Sequence, residues 1–575
     1  MTFRVGLLSV ALAFLLAGCG VMPRLTPTQE GEGATARVVP TGGGVTPTPE
    51  SLPTAATATM TAKAVTAYTP TPAPEIETPA WFDQAILYEI FVRSFYDKSG
   101  DGIGDLAGIT AKLDYVEGLG ATAIWLTPIH PSPSYHGYDV TDYFAVNPEF
   151  GTQDDMIALV SAAHERGMRV VMDLVVNHTA DEHPFFQDAW GNPASKYADW
   201  YLWSNDDHTA YQTFGGYKDM PKLNHGNPEV VAYTLEIARF WMDLDGDGDY
   251  ADGVDGFRCD VAKEVPLTTW QALRQEMRRL NPESFLLGEV WDTNVRNLTK
   301  WYDDAFDALF DFPLYSDLAG SPDQSLDSLL AGVQQPDMVT FTIVGEDKLL
   351  PPGYEIVRFD NNHDTNRLMS DVGGDWARAN AAATMILTLP GTPMIYYGEE
   401  IGMRGEKGKG NPYWDEYRRE PMDWYAAEAG SGMTTWFKPK DRYNAPNDGI
   451  SVEEETGVAG ALLSHYQALA ALRHAHPALL GGAFAPAKVS EGEYVYAYTR
   501  HAPSTAASPE EWFLVILNLS AEPQQAALEL GLATPGPFVA VDALSGKAWP
   551  DVPADQPYRV ELAPASGVVL QLSNP

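Results

Sequence analysis

The chain has 575 residues, 45% of them hydrophobic, enough for a large core and more than one domain. It carries 78 acidic against 37 basic residues, a net charge of −41. Such a surface repels nucleic acid and anionic lipid headgroups and suits a neutral ligand; solubility or a salty habitat produces the same acidity.

The first stretch, "MTFRVGLLSVALAFLLAGCG", has one early cation (Arg4), an apolar run and then small residues. That is the layout of a secretory signal, with an apolar run too short to span a membrane comfortably. The ending "LAGC" resembles the bacterial lipoprotein box. It implies a signal peptide over residues 1–19 and a lipid anchor on Cys19, which places the protein outside the cytoplasm at the cell surface. The only other cysteine is Cys259, so the mature fold has no intrachain disulfide, and its apolar neighbours predict a packed thiol. Residues 20–80 are rich in Thr, Pro, Ala and Gly and lack the apolar side chains that offset ordering entropy. They read as a disordered tether.

Residues 81–478 alternate short apolar runs with helix-period segments. The first strand, "AILYEIFVRSF", leads into "DKSGDGIGD" (97–105), a loop with the chemistry of a Ca2+ site. Asp97, Ser99, Asp101 and Asp105 offer oxygens at alternate positions, the Ile103 carbonyl lies between, and glycines allow the turn. Gly108 stands where an EF-hand would place its distal glutamate. The second strand is "TAIWLTPI", followed by "HGYDV" with Tyr138. The third, "RVVMDLVVNH", brings Asp173, Asn177 and His178, and a segment rich in aromatics, Pro and Gly (179–227) reads as an inserted subdomain. The helix "EVVAYTLEIARFWMD" runs into an acidic turn, "DLDGDGDYAD" (243–252), a weaker second metal loop. Strands "GFRCD", "FLLGEV", "DALFDFPL", "VRFDNNHD" and "TPMIYYGEE" complete the series. Near-continuous apolar strands separated by helices predict a parallel sheet, and eight units predict an α/β fold of the (β/α)8, or TIM, barrel type. In residues 479–575 the runs "EYVYAYTR", "EWFLVILNLS", "FVAVDAL" and "YRVELAPASGVVLQL" alternate, which predicts a C-terminal antiparallel β-sandwich.

The polar strand ends share one rim, where barrel active sites are built. Asp260, Glu289 and Asp364 converge there from strands four, five and seven. Two carboxyl groups flanking a bond are the equipment for cleaving a glycoside, one ionised to attack and one protonated to donate. Arg258, two residues before Asp260 on the same strand face, is expected to lower the pKa of Asp260. Desolvation behind "FLLG" is expected to raise that of Glu289 and suit a general acid. Asp364 supplies a third carboxylate for sugar hydroxyls or an oxocarbenium-like transition state. Asp260 and Glu289 end adjacent strands, about 4.8 Å apart at the backbone. That favours the close carboxyl pair of a retaining enzyme over the wider inverting pair.

"DLVVNH", "GFRCDVAKE", "GEVW" and "FDNNHD" resemble the four signature regions of the α-amylase family of glycoside hydrolases, and "MPKLN" (220–224) its fifth. The resemblance spans about Ala80 to the end. It implies that Asp260 is the nucleophile, Glu289 the acid/base and Asp364 the transition-state stabiliser. It also implies sugar contacts from Tyr138, His178, Arg258, Lys263 and His363, with Asp173 a supporting carboxylate behind them. Oligoglucosidase-like members carry the calcium loop. Lys263 followed by Glu264, with Val261 after the nucleophile and "MPKLN", resembles members that accept α-1,6 links; Lys263 itself resembles α-amylases. The expected activity is endo-hydrolysis of α-1,4 links in starch, glycogen and maltooligosaccharides. The alternatives are a neopullulanase, cyclomaltodextrinase or oligo-1,6-glucosidase, a transglycosylase such as trehalose synthase, and an inactive glucan-binding lipoprotein. No protein partner is evident from the sequence.

Overall fold

The computed structural model describes residues 78–315, 337–408, 414–437, 442–506, 508–532, 536–553 and 555–574. The signal segment, Cys19 and nearly all of the tether lie outside the described residues.

Eight strands close into a parallel barrel in sequence order: β1 (Leu87–Ile90), β2 (Ala123–Leu126), β3 (Arg169–Leu174), β4 (Gly256–Cys259), β5 (Phe285–Gly288), β6 (Ala308–Phe310), β7 (Glu355–Arg358) and β8 (Thr392–Tyr396). Each lies within a run expected from the sequence except β7, which begins at Glu355 and shares only Val357 and Arg358 with the expected "VRFDNNHD". Helices α1 (Leu106–Leu119), α2 (Gln153–Glu165), α3 (Pro228–Met242), α4 (Leu267–Leu280), α5 (Asp337–Leu349), α6 (Trp376–Thr388) and α7 (Leu462–Ala475) lie in the crossovers and after β8. Burial on both strand faces explains the lack of alternation in the sequence.

One face of each strand fills the barrel. Leu87, Trp125, Val171, Phe285, Leu287, Phe310, Val357, Phe359 and Met394 form this inner layer. Parallel register carries the same face to the rim: Glu89 pairs with Trp125, Asp173 with Arg258 and Arg258 with Leu287. Two residues beyond Leu87, Val171 and Leu287 stand Glu89, Asp173 and Glu289, so the apolar floor turns into a charged rim by period-two alternation alone. Gly256 lets β4 sit close, since a Cβ there would meet the Phe285 carbonyl oxygen at 2.2 Å.

The segment after β3 packs its own aromatic core of Phe186, Trp200, Tyr201 and Leu223. It is tied back to the rim by a bridge between His178 and Lys222, inside "MPKLN". Beyond α7, nine strands form the C-terminal sheets: β9 (Ala483–Pro486), β10 (Lys488–Glu491), β11 (Val495–Ala502), β12 (Glu511–Asn518), β13 (Gln524–Glu529), β14 (Phe538–Asp542), β15 (Ala548–Val552), β16 (Tyr558–Leu562) and β17 (Ser566–Ser573). They make an antiparallel six-stranded sheet in the order β15-β14-β17-β12-β11-β9 and a three-stranded one, β10-β13-β16, around a shared apolar core. The run "YRVELAPASGVVLQL" is two strands in different sheets, divided near Ala565, whose φ is +41°. Arg500 Nη1 donates to the Thr388 carbonyl at the end of α6 (2.6 Å), docking the sandwich on the barrel.

Candidate active site at the carboxyl end of the barrel

Arg258 is the hub of one half of the rim. Its Nη1 donates to Asp173 Oδ1 at 2.9 Å and to Asp260 Oδ1 at 2.7 Å, and its Nη2 meets Glu289 Oε1 at 2.5 Å. All four side chains are buried. Asp260 Oδ2, also buried, has no protein partner among the described residues.

The expected lowering of the Asp260 pKa is corrected by this geometry. Burial pushes it well above the usual carboxylate range, Arg258 opposes, and Glu289 and Asp173 push it further up. Asp173 is likewise raised by burial, to about 6, against the pull of Arg258. One guanidinium shared among its neighbours does not offset the burial of Asp260 and Asp173, and both carboxyls are left with a raised affinity for a proton.

The residue after Asp260 is strained. Val261 has φ +45° and ψ +41°, a left-handed conformation that is an outlier for a β-branched residue. It turns the Val261 amide onto Glu289 Oε2 at 2.8 Å. Trp291 Nε1 donates to Glu289 Oε1 at 2.8 Å, and Lys263 Nζ donates to the Trp291 carbonyl at 2.9 Å and to Asp292 at 3.2 Å. Lys263 is half-exposed and lies on the Glu289 side of the rim. Glu264 accepts from Lys222 of the inserted subdomain at 3.0 Å.

The other half is rich in cations. His363, fully buried, places Nδ1 2.5 Å from Glu89 Oε1 and Nε2 3.2 Å from Asp364 Oδ2. Burial alone would lower its pKa, but Asp364 and Glu89 outweigh burial and raise it to about 9, so the ring is an imidazolium at neutral pH. Arg419 Nη2 donates to Asp364 Oδ1 at 2.9 Å, and its Nε to the His363 carbonyl at 3.0 Å. Asp364 is held well below the usual carboxylate range: burial opposes this, and His363, Arg419 and Arg418 overcome it.

Tyr138 joins the halves. Its hydroxyl accepts from His363 Nε2 (2.7 Å) and donates to Asp173 Oδ2 (3.0 Å), and its ring stacks on His363 with an interplanar angle of 9°. His178 lies beneath. Burial lowers its pKa to about 4; its Nε2 donates to the Tyr138 carbonyl (2.9 Å) and its Nδ1 accepts from the Asn177 amide (3.1 Å). Both of its nitrogens are therefore engaged by protein. Cys259 is buried, as expected.

Sequence reasoning missed Glu89, Trp291 and Arg419. A charge in the first apolar strand at inward parity was the available signal for Glu89. Arg419 comes from the loop after β8, where no period marks a partner.

The two metal loops share one internal pattern. In 97–105 the amide of Ser99 donates to Asp105 Oδ2 and that of Gly102 to Asp97 Oδ2; in 243–252 the amide of Asp245 donates to Asp252 Oδ2 and that of Gly248 to Asp243 Oδ2. They differ in their carboxylates. Asp243, Asp245 and Asp252 bring oxygens within 4.8 Å of one another, and Asp243 Oδ1 and Asp252 Oδ1 have no partner among the described residues. The acids of 97–105 form no such group among the described residues, and all four oxygens of Asp97 and Asp105 accept from their own loop or from the first turn of α1. The sequence ranking of the two loops is therefore reversed on side-chain convergence.

Comparison with known proteins completes the picture. Residues 89–482 match the family model described as "Alpha amylase, catalytic domain". The chain belongs to the α-amylase family of glycoside hydrolases. It is an enzyme family acting on glucans, and this chain is 37% identical over 419 residues to alpha-amylase 3 of Dictyoglomus thermophilum, covering 70% of this chain and 79% of that one. It is 32% identical over 391 residues to neopullulanase 2 of Thermoactinomyces vulgaris, covering 63% and 62%. The crystal structure of an α-amylase from H. orenii aligns with a TM-score of 0.70 at 34% identity, covering 85% of this chain and 99% of that one.

Proposed function

We propose that this α-amylase-family chain is a retaining hydrolase of α-1,4-glucosidic bonds, acting internally on starch, glycogen and maltooligosaccharides. The observation that supports it best is the pairing of Asp260 and Glu289 on the two terminal nitrogens of Arg258, with Asp260 Oδ2 free of protein partners. In this reading Glu289 protonates the leaving oxygen while Asp260 Oδ2 attacks the anomeric carbon, and water then releases the sugar with Glu289 as base. Asp364, locked as an anion, faces the cationic transition state, and the Tyr138 ring underlies the sugar.

A second reading, neopullulanase- or cyclomaltodextrinase-like action, is favoured by one contact: Glu264, bonded to Lys222 of the inserted subdomain. The product profile on starch, pullulan and cyclodextrin separates the two. Proton NMR of the earliest products tests the mechanism, since α-anomers first means retention and β-anomers first means that Asp260 activates water instead.

Calcium is proposed for both loops. The converging oxygens of Asp243, Asp245 and Asp252 fit a hard cation directly; Asp97, Ser99, Asp101, Asp105 and the Ile103 carbonyl offer the same donor chemistry once their internal hydrogen bonds yield. The ion would neutralise carboxylates and hold the loops, with no part in bond cleavage. Lipid anchoring through Cys19, with the catalytic body displayed outside the cell, completes the proposal.

A further inference from the structure

Glu289 is gripped unevenly. Its Oε1 accepts from Trp291 Nε1 at 2.8 Å and forms an ion pair with Arg258, whose Nη2 lies 2.5 Å away. Its Oε2 takes the Val261 amide at 2.8 Å. A carboxyl oxygen that accepts an N–H and lies against a guanidinium is stabilised as the charged oxygen and is a poor seat for a proton. Trp291 is itself held in place: its ring stacks on Phe312 with centroids 4.3 Å apart, and its carbonyl accepts from Lys263 Nζ.

We propose that Trp291 is a positioning residue for the general acid: its indole N–H, together with Arg258, saturates Glu289 Oε1 and so places the transferable proton on Oε2. This rests on the reading of Glu289 as the acid. In the first step the Oε2 proton passes to the glycosidic oxygen as that oxygen's bond to C1 breaks, and Asp260 Oδ2 bonds to C1. In the second, water attacks C1, the C1–Oδ2 bond breaks, and one water proton returns to Oε2. Without the indole N–H, Oε1 competes for the proton, and part of the enzyme is protonated on the wrong oxygen. Lys263 then acts one contact further out, by fixing the backbone that carries the indole.

Trp291→Phe keeps a ring against Phe312 and removes only the donor. Its kcat on maltooligosaccharides should fall about tenfold, the size of one hydrogen bond to a charged group, with KM near the parent value. The alkaline limb of the kcat–pH profile should move to higher pH, because a donor that favours the ionised carboxyl is gone. On an aryl maltoside with a good leaving group, which needs little protonation, kcat/KM should fall less than about twofold, against about tenfold on maltooligosaccharides. Equal losses on both substrates, or a parental kcat with an unmoved limb, would overturn the proposal. Trp291 is 45% exposed, so the variant is expected to fold; a melting curve confirms that the kinetics are those of native protein. Glu289→Ala separates the underlying assumption. If its kcat/KM, which reports the first step alone, falls equally on the aryl maltoside and on maltooligosaccharides, Glu289 is not the acid, and the reading itself falls before the role of Trp291 is judged.

Discussion

The two halves of the rim carry similar residue types and opposite electrostatics. Around Arg258, one cation serves three buried carboxylates, Asp173, Asp260 and Glu289. Around Asp364, the cations His363, Arg419 and Arg418 face the anions Asp364, Glu89 and Asp415. The first half is short of positive charge, and the proton affinity of Asp260 and Asp173 is raised; the second is balanced and holds its key carboxylate ionised. In the proposed double displacement the proton of the first half sits on Glu289 while Asp260 attacks as the anion, and Asp364 stays ionised throughout.

The largest effect should come from removing the proposed nucleophile. Asp260→Asn should lower hydrolysis by roughly 10⁴-fold or more while leaving glucan binding and melting temperature near the parent values. Activity within tenfold of the parent would sink the assignment. Next is the shared cation. Arg258→Met leaves three buried acids without their partner, and should cost about 3–5 kcal/mol of stability in denaturant titrations at neutral pH. The loss should shrink on acidification, where the carboxyls protonate.

The balanced half makes a pH prediction of definite sign. The folded pKa of His363, about 9, lies above its ordinary value of 6.5. The native state therefore binds the extra proton between those values, and the resulting stability is complete below pH 6.5 and lost as pH rises through 9. Its size is on the order of 3 kcal/mol, read as a fall in melting temperature from pH 6.5 to 10 that His363→Gln should not show. Glu89→Gln should sharpen the same contrast at smaller cost. It removes the charge behind His363, so the alkaline fall should begin at lower pH, with activity reduced about tenfold at neutral pH. An alkaline fall unchanged by Glu89→Gln would mean that Asp364 alone sustains the imidazolium.

The smallest effect concerns the two loops. Chelation should lower the melting temperature by a few degrees and added calcium should restore it, because a ligand bound only by the native state stabilises it. Asp245→Ala should remove more of this response than Asp101→Ala if convergence of carboxylates governs affinity. An unchanged response in both variants would place the metal elsewhere.

Much of this molecule was legible in order along the chain. Eight apolar runs separated by amphipathic segments determine a parallel barrel, because strands buried on both faces have no solvent side to alternate with. Period-two parity then determines that Arg258 and Asp260 share a face and that Asp173 and Glu289 cap the inner layer. The sandwich was less legible. Its short strands β9, β10 and β15 are largely exposed and carry weak patterns, and "YRVELAPASGVVLQL" hid a crossing between sheets at Ala565.

What only the tertiary structure decided is how charge is shared. Sequence adjacency paired Arg258 with Asp260 and implied a lowered pKa for the aspartate. Closure of the barrel brought Asp173 and Glu289 onto the same guanidinium and reversed the sign. In the same way Glu89, 274 residues from His363, adds to its neighbour Asp364 in raising the pKa of a buried histidine in a signature motif. A pKa is set by every charge and every water removed within a few Å, and that neighbourhood exists only once distant strands have met.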